Sequence, residues 1–77
     1  VVVNTSCEHM SNNWFNSLDE SQLVIMQTNS NPDYEGHINT CQSIPEMCDQ
    51  YPLQRTLYTG EMRTPDYTRF MQIGYPA

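Results

Sequence analysis

The run Val1-Val2-Val3 constrains the fold of this chain more than any other segment. Three consecutive β-branched residues favour a buried strand, because such side chains are stiff in a helix and pack well on a pleated sheet. Polar and titratable residues follow at once in Asn4-Thr5-Ser6-Cys7-Glu8-His9. Open α/β sheets bind ligands where their strands end. The start of the chain therefore predicts a strand that opens into a site.

The chain is short and acidic. Its 77 residues allow one domain, and a domain of this size buries only about 60% of the surface that the unfolded chain exposes. Nine acidic residues against three Arg and no Lys give a formal charge of -6. Such a charge repels phosphate, so we expect no direct binding to nucleic acid. Residues 1–42 hold five acids and no base, so a cationic partner should prefer this half.

Cysteine content and hydropathy predict a cytoplasmic location. The three cysteines at positions 7, 41 and 48 form no C-x-x-C pair, which favours a reducing compartment over secretion. The longest apolar run of aliphatic residues, Leu23-Val24-Ile25-Met26, is far shorter than the roughly 20 residues of a spanning helix. We therefore expect no membrane association.

The first half of the chain predicts a strand, a helix and a second strand. Ser11-Asn12-Asn13 can cap a short helix at residues 14–18, whose apolar side chains lie on one side. Residues 22–27 are apolar on both faces, which indicates a central strand parallel to the first. A long polar loop follows over residues 28–40, and loops of this length are usually functional or disordered.

The second half predicts a helix and an antiparallel hairpin. Ser43-Ile44-Pro45-Glu46 is a helix start with a capping box, and Pro52 ends the helix. Strands at residues 55–62 and 67–75 are joined through Arg63-Thr64-Pro65-Asp66, which favours a turn. The predicted fold is a single α/β domain over residues 1–77, with a mixed sheet and the order β-α-β-α-β-β.

Three segments carry a resemblance to a known family. They are the N-T-S-C-E-H segment after the first strand, the second strand ending in Gln27-Thr28-Asn29, and the terminus Arg69-Phe70-Met71-Gln72-Ile73-Gly74. With a histidine between the last two, they resemble the C-terminal half of class I S-adenosylmethionine-dependent methyltransferases, and more narrowly a poorly characterised methyltransferase-like group. The resemblance covers nearly the whole chain. It implies a partial Rossmann-like sheet whose last strand is inserted antiparallel between its neighbours.

The resemblance also implies what this chain lacks. In that family the cofactor S-adenosylmethionine lies mainly on a glycine-rich turn after the first strand, and no G-x-G turn follows a strand here. We therefore expect a fragment, the C-terminal half of a methyltransferase-like parent, that is inactive and binds no cofactor on its own. The start at Val1, inside a predicted strand, favours the same interpretation.

The resemblance carries four residues over to this chain, as one border of the methyl-transfer pocket. Asn4 and Cys7 are the candidate cofactor-binding residues, and Glu8 and His9 are the candidate catalytic residues. His9 could act as a general base, since the reference pKa of histidine is about 6.5, and Glu8 could orient it. In the alternative interpretation, Asn4 and Ser6 cap the following turn, while Glu8 and His9 are solvated.

A zinc site is a further alternative to these roles. Cys7-x-His9 and His37-x-x-x-Cys41 offer two sulfurs and two imidazoles, a ligand set that zinc accepts. Buried cysteines that act as small apolar residues are commoner, so the main prediction is that the chain holds no metal.

Two interactions complete the predictions. Arg69 could bind an anion, but pairing with Glu61 on the neighbouring hairpin strand is the favoured interpretation. A strand that has lost its partner invites pairing with another chain, so we expect a homodimer formed through the open sheet edge or through apolar surface. The competing function is a small acidic protein-interaction module.

Overall fold

The computed structural model describes all residues from 1 to 77 and contains four strands, two α-helices and one 3₁₀ turn. The strands are β1 (Val2–Asn4), β2 (Val24–Asn29), β3 (Leu53–Arg63) and β4 (Thr68–Pro76). The helices are α1 (Asn13–Asn16) and α2 (Ile44–Gln50), and the 3₁₀ turn spans Cys7–His9. Along the chain, these elements follow one another as β-α-β-α-β-β, with the 3₁₀ turn between β1 and α1.

The four strands form one mixed sheet in the order β1-β2-β4-β3. β1 pairs with β2 in parallel, and β4 lies between β2 and β3, antiparallel to both. The α/β class, the parallel start, the C-terminal hairpin and the central position of β2 agree with the sequence predictions.

Local side chains set the ends of α2 but do not cap the start of α1. Ser43 caps α2, since its hydroxyl accepts a hydrogen bond from the backbone N–H of Glu46 at 3.2 Å. α2 stops at Gln50, two residues before Pro52. α1 is a single turn and shorter than predicted. Its N-cap residue Asn12 makes no side-chain capping bond, so little holds a longer helix together.

The core lies on one face of the sheet. Val24 and Met26 of β2 are fully buried there, and Phe70 of β4 is nearly so. Residues of both helical segments pack against them, and the rings of Phe15 and Tyr51 meet at 5.3 Å in a T-shaped arrangement. Both helices thus cover the same side of the sheet.

The opposite face of the sheet, which we call the open face, carries apolar side chains without a covering helix. The register places Val3 beside Ile25, Ile25 beside Ile73 and Ile73 beside Tyr58, so one apolar row crosses all four strands. Val3 is 60% exposed and Tyr58 52%, while Ile25 and Ile73 are half-buried. The prediction that the Val1-Val2-Val3 strand is buried is therefore wrong for this face, because Val3 is exposed.

Gly74 and Gly60 offer a matched test of the sheet. Gly74 lies between Val24 of β2 and Thr56 of β3, and a Cβ there would overlap the backbone carbonyl oxygen of Arg55. The atoms nearest to a Cβ at Gly60 would belong to the side chain of Tyr58, which is 52% exposed and can rotate into solvent. We expect Gly74→Ala to lower the free energy of unfolding by about 1–3 kcal/mol. Gly60→Ala should change it by less than about 0.5 kcal/mol.

Urea titration followed by the fluorescence of Trp14 measures both variants, because Trp14 is the single tryptophan and packs against Tyr51 at 5.7 Å. Equal losses for the two glycines would contradict the close approach of β3 and β4 at Gly74.

Candidate functional site

A polar cavity of about 240 Å³ opens at the edge of the sheet where β1 and β2 end. The two strands are parallel, so both carboxyl ends lie at this edge, and antiparallel β4 begins here with Arg69 opposite Asn29. The 3₁₀ turn after β1 and the loop after β2 complete the walls. The lining residues are Glu8, His9, Asn29, Asn31, Tyr34, His37, Tyr67 and Arg69.

Glu8 is the buried acid of this cavity, with only 4% of its surface exposed. Its Oε1 accepts a hydrogen bond from Nδ2 of Asn29 at 3.2 Å and lies 4.0 Å from Nε2 of His37. Its Oε2 is buried and has no hydrogen-bond partner. The alternative interpretation of Glu8 as a solvated residue is therefore wrong, whereas His9 is exposed, as that interpretation proposed.

The two histidines meet in the cavity, with ring centroids 4.6 Å apart and ring planes at 82°. Nδ1 of His9 lies 3.0 Å from the carbonyl oxygen of Gly36, and Nδ1 of His37 lies 2.6 Å from that of Asn31. A carbonyl oxygen only accepts, so each Nδ1 must donate a hydrogen. In the neutral rings both Nε2 atoms then keep a lone pair.

The loop over residues 30–43 holds His37 in place through bonds at both of its ends. The side-chain oxygen of Asn29 accepts a hydrogen bond from the backbone N–H of Asn31 at 3.1 Å. The backbone carbonyl of Asn29 accepts one from the backbone N–H of Cys41 at 3.2 Å. The carbonyl of Glu8 accepts from the N–H groups of Ile38 and Asn39 at 2.9 and 3.0 Å. The length of this loop alone was compatible with a functional or a disordered segment. These bonds give it a defined structure.

Gly36 lets this loop approach the 3₁₀ turn. Its φ is +86°, a conformation that side chains disfavour, and a Cβ there would lie 3.1 Å from Nδ1 of His9. A larger residue at this position would strain the backbone and crowd the His9 ring.

Asn4 and Cys7, the predicted cofactor-binding residues, do not line the cavity. The Asn4 side chain caps the following turn, because its Oδ1 accepts from the N–H of Ser6 at 2.9 Å. Cys7 is fully buried, and its thiol donates to the carbonyl of Asn4 at 3.6 Å. Burial, reinforced by the charge of Glu8, raises the pKa of the Cys7 thiol to about 12. Both residues stabilise the turn that presents Glu8 and His9.

The structure does not assemble the four-residue zinc set. Cys41 is fully buried in the core beside Cys7, its thiol donates to Oε1 of Gln50 at 3.1 Å, and burial raises its pKa to about 11. The alternative zinc set of Cys7, His9, His37 and Cys41 is therefore wrong, because both thiols belong to the core. The two histidines instead come together with Glu8.

The structure gives Arg69 a different partner from the predicted one. Its guanidinium donates to Oε1 of Gln27 at 3.0 Å, whereas the carboxylate of Glu61 lies 3.6 Å from Arg63. The hairpin register pairs Glu61 with Phe70, so the side chains of Glu61 and Arg69 do not share a face. The predicted Arg69–Glu61 pair is therefore wrong, and Arg69 joins the cavity wall.

Sequence reasoning also missed Asn29 as a partner of Glu8. The signal available in the sequence was the position of Asn29 at the end of β2, because β2 is the neighbour of β1 and Glu8 follows β1.

Comparisons of the chain with family models, with curated proteins and with solved structures find no match. None of the helices has the length and hydropathy that crossing a membrane requires.

Burial predicts that the three thiols differ in reactivity. The thiolate is the reactive form, so Cys7 and Cys41 should resist a thiol reagent at pH 8 in the folded chain, whereas half-buried Cys48 should react. Titration with an aromatic disulfide should count about one thiol in buffer and three in denaturant. Cys48→Ser should remove the fast reaction. Rapid labelling of Cys7 in the folded chain would contradict its place in the core.

Proposed function

We propose that this chain is the C-terminal half of a class I S-adenosylmethionine-dependent methyltransferase-like domain and is inactive by itself. The observation that carries the proposal is the position of β4, which is inserted antiparallel between β2 and β3. The sequence resemblance implies this arrangement for the last four strands of the family's sheet. Strand order and sequence segments thus support the same origin.

The open face supports the proposal independently. Sheets with parallel strands normally have helices on both faces, because their strands are apolar on both sides. Here α1 and α2 cover one face, and the apolar row from Val3 to Tyr58 stays uncovered on the other. In the proposed parent, the remaining half of the domain covers this row.

We expect the residues present to form no site for the cofactor. Asn4 and Cys7 are turned away from the cavity, and its volume of about 240 Å³ is below the roughly 300–1,000 Å³ of typical ligand pockets. The chain's own contribution would be to the acceptor side, where the Nε2 of His9 could take up a proton when no metal ion is bound to it.

Calorimetry with S-adenosylmethionine tests the proposal. The 77-residue chain should show no saturable binding, whereas the longest reading frame that contains it should bind the cofactor with micromolar affinity. Absence of binding by both proteins would contradict the methyltransferase origin. Saturable binding by the short chain would contradict the statement that it lacks a cofactor site.

The open face also favours a second candidate function, that of a small acidic interaction module. An apolar row across a whole sheet marks a contact surface when nothing in the chain covers it. For the isolated chain we propose that a second copy covers the open face.

Sedimentation velocity over a range of concentrations tests this dimer. The double substitution Val3→Thr, Ile73→Thr keeps β-branched residues but makes two positions of the row polar, and it should weaken association at least about tenfold. Ile38→Thr is the control, because Ile38 is 71% exposed but lies in the loop. If the unsubstituted 77-residue chain is monomeric, the dimer is excluded. Undiminished association of the double variant would indicate pairing through the backbone edge of β1 instead.

A further inference from the structure

We infer that Glu8, His9 and His37 form a binding site for a divalent transition metal ion, with zinc as the expected ion. One ligand atom of each residue lies within 4.8 Å of the ligand atoms of the other two. The three residues come from the turn after β1 and the loop after β2, which meet at the carboxyl edge of the sheet. The site does not depend on the proposed methyltransferase origin.

The orientation of the two imidazoles is the one that metal-binding histidines adopt. A histidine ligand usually donates its second ring N–H to a carbonyl or carboxylate, which fixes the ring and its tautomer. Gly36 supplies that carbonyl to His9 at 3.0 Å, and Asn31 supplies it to His37 at 2.6 Å. Both Nε2 atoms are therefore available as ligands.

Glu8 provides an independent observation. A buried oxygen without a hydrogen-bond partner is costly, and more so on a carboxylate. Oε2 of Glu8 is such an atom, while Asn29 holds Oε1 at 3.2 Å. A metal ion bound by Oε2 would remove this cost, and Asn29 would act as the supporting partner of the ligand.

The His37 ring alone does not satisfy Glu8. Its Nε2 lies 4.0 Å from Oε1, beyond hydrogen-bond distance, and the contact leaves Oε2 without a partner. Residues 1–42 contain five acids and no Lys or Arg, so the part of the chain that supplies the three ligands carries a net negative charge. Arg69, the one arginine that lines the cavity, donates to Gln27.

The ligand set indicates the class of ion. Two imidazoles and one carboxylate suit zinc and its first-row neighbours better than calcium or magnesium, which prefer oxygen ligands. Bonds of about 2.0–2.2 Å place tetrahedral ligands about 3.3 Å apart, so the three side chains would move inward by about 1 Å. Three protein ligands leave one position open, as in catalytic rather than structural zinc sites.

Calorimetry of the metal-free chain with zinc chloride tests the site. We expect one ion per chain with micromolar or tighter affinity. Glu8→Gln and His37→Asn should each weaken binding by more than about tenfold, because each removes a ligand. Glu35→Gln is the matched control, since it removes the same charge from an exposed residue two positions from His37, and it should change the affinity less than about twofold.

Thermal unfolding keeps the test valid if a variant folds poorly. Zinc should raise the melting temperature of the unsubstituted chain and of Glu35→Gln, but not that of Glu8→Gln. Without zinc, Glu8→Gln should be at least as stable as the unsubstituted chain, because it removes a buried charge with one oxygen that has no hydrogen-bond partner. If Glu8→Gln is less stable than the unsubstituted chain, and zinc does not change the melting temperature of the unsubstituted chain, the result would instead indicate a Glu8–His37 ion pair.

Cobalt substitution identifies the ligand atoms. The cobalt-loaded chain should show visible ligand-field bands without the intense near-ultraviolet absorption of a cobalt–thiolate bond. Three results would each overturn the assignment. They are thiolate absorption, no zinc binding by the unsubstituted chain, and a loss of zinc affinity in Glu35→Gln equal to that in Glu8→Gln.

Discussion

The backbone pairing of β4 with both β2 and β3 is the interaction on which the rest of this structure depends. It joins the parallel half of the sheet to the C-terminal hairpin, and it fixes Gly74 beside the backbone of Arg55 in β3. The same pairing places Arg69 opposite Asn29 at the edge where β1 and β2 end. Without it, β1 and β2 would form a two-stranded unit too small to bury a core.

The sheet is covered unevenly, and this governs both proposals about partners. α1 and α2 pack with Val24, Met26 and Phe70 on one face, while the apolar row on the open face faces solvent. Water disfavours so much apolar surface, so either the rest of a larger domain or a second copy would be stabilised by covering it. One physical cause therefore connects the proposed fragment origin with the proposed dimer.

The cavity is organised around a buried carboxylate. Glu8 follows fully buried Cys7 in the 3₁₀ turn and is itself nearly inaccessible to solvent. Asn29 satisfies one of its oxygens, His9 lies beside it in the same turn, and His37 approaches from the loop. The high pKa values of Cys7 and Cys41, which come from burial, keep both thiols protonated near neutral pH. The polar chemistry of this edge thus belongs to oxygen and nitrogen ligands.

The sequence by itself determined the element order, the parallel start, the hairpin and the cap of α2, because strand periodicity and turn residues act locally. It also placed Glu8 and His9 after a strand. Only the tertiary structure decided that Cys7 and Cys41 enter the core, that Arg69 meets Gln27 instead of Glu61, and that His37 faces Glu8. Those outcomes depend on strand register and on loop closure over about 30 residues, and both are set by long-range packing that local patterns do not encode.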